Sequence, residues 1–89
     1  MRMISISGAR LQTFRKDLNK GRKVILTRET GTQLIITRKI DSETGDEYFR
    51  SYVFNVTTKT QSMPLTHLSF ERLTKGLEGL GFRKYEAVK

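Results

Sequence analysis

The chain contains no cysteine and no tryptophan, and only one proline and one histidine. It also has no apolar run approaching the ~20 residues that a bilayer-spanning helix needs. Without cysteine, neither a disulfide nor a thiolate metal site can staple the fold. The lone His67 has no second imidazole or thiol to make a zinc site. The carboxylates Asp41, Glu43, Asp46 and Glu47 lack the alternating Asp/Asn ligands and closing Glu of a calcium loop, so a hairpin loop is expected there. No G-x-x-x-x-G-K-[ST] loop is present to cradle a nucleotide phosphate, and no serine or threonine has an obvious base. The expectation is therefore a non-enzymatic protein with no cofactor and no metal. The opening residues lack the apolar core of a signal peptide, which points to a cytoplasmic, non-membrane protein.

Positive charge is abundant. The 89 residues carry 17 Lys+Arg against 9 Asp+Glu, a formal +8. Residues 1–40 hold ten basic and two acidic groups, a net +8. Residues 41–47 hold four acids and no base, and residues 48–89 hold seven basic and three acidic groups, a net +4. A concentrated cationic surface makes nucleic acid the first partner to consider, because neutralising phosphates gives affinity without any special fold.

Residues 23–58 are the stretch around which the rest must pack. Three β-rich runs, 24–27, 33–40 and 48–57, are separated by the turn Glu29-Thr30-Gly31-Thr32 and by the polar segment 41–47. Gaps this short imply antiparallel pairing, since a parallel return needs a crossover of about a dozen residues or more. A three-stranded meander follows. Period two places Leu34, Ile36 and Ile40 on one face, interrupted by Arg38, and groups Tyr52, Phe54 and Val56 apart from Phe49 and Val53. Of the aromatics, Phe14, Phe54 and Phe70 are expected inside.

The flanks supply the cover. Residues 2–7 alternate Ile4 and Ile6 with Ser5 and Ser7, as a short strand would, pairing with an edge of the meander or with a second copy. A helix is predicted over 9–20, capped by Ser7, striped by Leu11, Phe14 and Leu18, and stopped by Gly21. After Pro64, a second helix capped by Thr66 or Ser69 carries Phe70, Leu73, Leu77 and Leu80 at helical spacing, weakened by Gly76 and Gly79. Residues 82–89 read as a final short strand or a basic tail. The fold class is α+β in one domain, 1–89: short N-terminal strand, helix, three-stranded antiparallel meander and C-terminal helix. A chain this short buries a limited core, and a homodimer is expected.

Ile4, Ser5, Ser7, Ala9 and Arg10, followed by Ile25, Thr27, Arg28 and Gly31, resemble in order and approximate spacing the N-terminal half of Phd/YefM-type antitoxins, over residues 1–37. The resemblance implies a dimeric transcriptional repressor docking paired N-terminal segments on an operator, with Arg10 and Arg28 as principal DNA contacts and a toxin as a possible protein partner. It also has departures: the segment 41–47, the added strand 48–57 and a basic rather than acidic end.

Three readings follow. The first is a double-stranded-DNA-binding dimer whose footprint is Arg10, Arg15, Lys16, Arg22, Lys23 and Arg28, since guanidinium groups suit forked contacts with guanine edges or phosphate. The second is a small protein-binding module or inhibitor, possibly phage-type, acting on an acidic surface of a host protein through Tyr48, Phe49, Arg50 and Tyr52, the residue types of interface hot spots. The third is single-stranded nucleic-acid binding, with aromatic and basic residues interleaved on a sheet.

Overall fold

A computed structural model describes residues 3–89. Arg2, where the expected N-terminal strand begins, lies outside them. The meander is present as β1 (Lys23–Thr27), β2 (Thr32–Ile40) and β3 (Glu47–Asn55). Arg28 accepts the amide of Gly31 at 2.9 Å and donates its own to Thr32 at 2.8 Å. Gly31 sits at φ 88°, the left-handed position that closes a three-residue hairpin loop. Between β2 and β3 the Asp41 carboxylate accepts the amides of Glu43 and Thr44, so it holds a turn together.

The sheet extends beyond the meander on both sides. β4 (Thr60–Gln61) and β5 (Leu65–His67) both pair with β3, one after the other, and together form an edge strand interrupted around Pro64. Proline donates no amide proton, which confines it to such an edge or break. β6 (Lys84–Val88) pairs with β1, giving six antiparallel strands in the order β4-β3-β2-β1-β6, with β5 also against β3. The C-terminal segment is thus a strand. The expected N-terminal strand contracts to a single bridge, Ile4 to Phe82, with bonds of 2.6 and 2.7 Å.

Helix α1 (Ala9–Asn19) forms where the periodicity placed it, but Ser7 is not its cap. Gly8 holds that position at φ 58°, and the Ser7 hydroxyl bonds Ser5 instead. At the other end Gly21 N–H reaches Leu18 O and Arg22 N–H reaches Asp17 O, the Schellman arrangement, with Gly21 at φ 78°. Helix α2 (Phe70–Leu77) is capped by the Ser69 hydroxyl, which accepts from Arg72 N–H at 3.1 Å.

Both helices cover the same face of the sheet. Phe14 and Leu18 of α1 and Leu73 and Leu77 of α2 join Val24, Leu26, Ile36, Phe49 and Phe82 in one core cluster. The Phe70 ring lies 5.8 Å from both Phe14 and Phe49. The core aromatics therefore differ from the expectation: Phe49 and Phe82 are fully buried, while Phe54 points to the other face. Two helices can cover only one side of a sheet this size, and α1 and α2 select the face of Phe49 and Ser51.

A candidate nucleic-acid interface on the open sheet face

Register determines which side chains share the uncovered face. Val24 opposes Ile36 and Ile36 opposes Ser51 on the core side, so the alternate residues project outward. One outward row reads Ile25, Ile35, Tyr52 across β1, β2 and β3. In the next row towards the 28–31 turn, Gln33 opposes Phe54, which opposes Gln61 of β4. In the row on the other side, Thr37 opposes Arg50, which opposes Thr66 of β5, and Lys23 continues that row on β1. Lys39 and Tyr48 form the last row. The face is thus an apolar and aromatic middle flanked by carboxamides at one end and cations at the other.

Charge is unbalanced on this face. Lys23, Lys39, Arg50 and Lys84 lie on it, and among the described residues its only strand carboxylate is Glu86, which pairs with Lys84. Among the described residues, Lys23, Lys39 and Arg50 have no ion pair. A depression of about 260 Å³ sits between them, lined by Lys23, Thr37, Lys39, Arg50, Tyr52 and Pro64 among others. A second concavity, about 690 Å³, shares Arg50 with it and lies at the 41–47 loop. Three carboxylates, Asp41, Asp46 and Glu47, line it, so it is a poor receptor for an anion.

The other cations are distributed differently. Arg15 and Arg38 converge on Glu47 at 2.7 and 2.8 Å on the core side of the sheet. Their hydrogen bonds, Arg15 first, hold the Glu47 carboxyl below its ordinary value. Arg38, which interrupts the apolar spacing of β2, is there for this contact. The Arg15 guanidinium also lies 4.7 Å from the Phe70 ring centroid and 5.3 Å from that of Phe49. Arg15 is therefore a packing residue and leaves the expected footprint. Arg22 is tied to Asp17 at 3.1 Å. Asp17 also accepts from the Tyr85 hydroxyl at 2.6 Å; burial, then that bond, pushes the phenol pKa up.

Arg10, Lys16 and Arg28 are exposed and have no ion pair among the described residues. The short 20–22 connection turns the chain back, so the start of α1, with Arg10 in its first turn, and the turn after β1, with Arg28, lie towards one end of the molecule. The amides of Arg10 and Leu11 are already bonded to Ser7 O and Gly8 O, so the helix start offers fewer free donors than its position implies. Lys23 is at the far end of β1, roughly 16 Å away at ~3.3 Å per residue, and on the opposite face from α1. The six expected DNA contacts do not form one surface.

Three of the four interface candidates, Tyr48, Arg50 and Tyr52, share the open face; Phe49 does not, being 0% exposed beneath the helices. Sequence reading placed Phe54 on the face of Tyr52 but took it for core, and missed Gln33, Lys39 and Gln61 as members of the same surface. Their signal was present in the loop lengths, which fix cross-strand register and hence which side chains stand together. On the core side, the Ser51 hydroxyl and His67 Nε2 lie 2.9 Å apart, fastening β5 to β3; burial lowers the imidazole pKa. No grouping of three or more metal-ligating side chains occurs among the described residues. Among them, too, no helix is long and apolar enough to cross a membrane. Neither a family model, nor a curated protein, nor a solved structure matches the chain.

Proposed function

We propose that the chain is a nucleic-acid-binding protein that receives a phosphate backbone on the open face of its sheet. The observation that carries this reading is the asymmetry of charge compensation. Asp17 and Glu47 neutralise arginines on the helix side, while Lys23, Lys39 and Arg50, gathered around one depression, have no ion pair among the described residues. Binding to a short oligonucleotide is expected to weaken log-linearly with salt. Lys23→Ala and Arg50→Ala should each reduce that slope by about one. An affinity indifferent to salt would sink the reading. Retention of an acidic protein with no nucleic acid bound would move the function to protein inhibition.

A second reading, a dimeric double-stranded-DNA regulator of the Phd/YefM type, draws on Arg10 and Arg28. Both are exposed, both lack an ion pair among the described residues, and they share one end of the molecule. Under it, Arg10→Ala with Arg28→Ala abolishes operator-like duplex binding while Arg50→Ala leaves it intact. The reverse pattern assigns binding to the sheet.

A further inference from the structure

We infer that the ligand of the open face is a single strand, with bases stacked on Tyr52 and Phe54 and phosphates held by Lys23, Arg50 and Lys39. This inference rests on the reading above and specifies its substrate.

The geometry favours an unpaired strand in three ways. First, the rings are placed for stacking. Tyr52 and Phe54 are two residues apart on β3 and face the same way, and both are partly exposed. That puts them about 6.8 Å apart along the strand, twice the ~3.4 Å spacing of a stacked duplex strand, so an extended strand with separated bases fits them better. In a duplex, the faces of the bases are occupied by their neighbours and unavailable to a protein ring.

Second, polar groups flank the outer ring. Gln33 and Gln61 stand directly across from Phe54 on the two neighbouring strands. Each carboxamide offers both a donor and an acceptor, so a base lying on Phe54 can be met at its edges. Ile25 and Ile35 continue the Tyr52 row and provide an apolar floor; Ile35 is only 8% exposed.

Third, the face has no element able to enter a groove. Both helices pack on the far side of the sheet, and the major groove, about 12 Å wide, is read by an inserted helix or ribbon. The cations instead gather at one end of the aromatic rows, around the depression beside Tyr52. A backbone running past that depression leaves its bases over Tyr52 and Phe54.

The chain carries its own reporter. It has no tryptophan and three tyrosines, of which Tyr48 and Tyr52 lie on this face, while Tyr85 is hydrogen-bonded to Asp17 away from it. Titrating the intact protein with oligothymidylate should quench tyrosine emission, and oligothymidylate should bind more tightly than a duplex of equal strand length. Tyr52→Leu and Phe54→Leu should each weaken the single strand about tenfold and leave the duplex unchanged. The quenching needs no variant, so a variant that fails to fold does not remove the test. Duplex binding as tight as single-strand binding, or without quenching, overturns the inference while the nucleic-acid reading stands. Equal quenching by polyglutamate also overturns it. No binding of either nucleic acid at low salt removes both.

Discussion

Arg15 and Glu47, 32 positions apart in sequence, meet at 2.7 Å between α1 and the start of β3. The contact joins the helix layer to the sheet, and two aromatic rings hold the same guanidinium. Arg15→Ala is expected to cost about 1–2 kcal/mol in stability, because a partly exposed ion pair and its cation–π contacts are lost together. Chemical unfolding measures it. If Arg15 were instead a nucleic-acid contact, the variant would keep its stability and lose affinity.

Glu47 makes part of that stability depend on pH. Its pKa is lowered in the fold from an ordinary 4.5, by the Arg15 hydrogen bond first and the Arg38 bond second. The unfolded chain therefore takes up this proton more readily than the folded one. The contribution is complete above about pH 4.5 and is lost as pH falls through the lowered value. Urea midpoints followed downward from neutral pH should show the decline, and Glu47→Gln should lack this component of it.

Phe49 distinguishes a core from an interface. It is fully buried in the core cluster, with the Phe70 ring of α2 at 5.8 Å and the Arg15 guanidinium of α1 at 5.3 Å. Phe49→Ala should cost about 3–5 kcal/mol, whereas the outward-facing Tyr48→Ala should cost far less. Thermal melts of the two variants compare them directly. Equal, small losses would contradict the assignment of faces.

Gly21 ends α1 at φ 78°, with nothing within 4 Å of the position a Cβ would take. Space is therefore available, and the penalty of Gly21→Ala is conformational. About 1 kcal/mol is expected, read from the shift in unfolding midpoint.

Helix α1 was legible in the sequence because its stripe of Leu11, Phe14 and Leu18 and its stop at Gly21 agree with one another. Its start misled because a serine next to a glycine looks like a cap, while the chain needs the positive φ that Gly8 provides. The meander was legible from its turn chemistry and its two faces from period two, but which face is buried was not. Phe49 and Val53 compete with Tyr52 and Phe54 on hydrophobicity, and only the docking of two helices decides between them. The edge strand was hidden for another reason: its two pieces are short, polar and divided by Pro64, and the pairing that defines them comes from β3. The site followed the same pattern. The excess of cations was plain in the composition, but their division between the helix side and the open face depends on register and on where Asp17 and Glu47 settle.

The broken margin formed by β4 and β5 also limits how copies of this protein can assemble. Pro64 has no amide hydrogen to offer, and Met63, 86% exposed, stands out beside it. An incoming strand would find the ladder interrupted halfway along. The opposite margin, β6, is continuous over Lys84–Val88. The unbroken run of edge backbone in this sheet therefore lies along β6, and the β4–β5 margin carries its own interruption against strand addition.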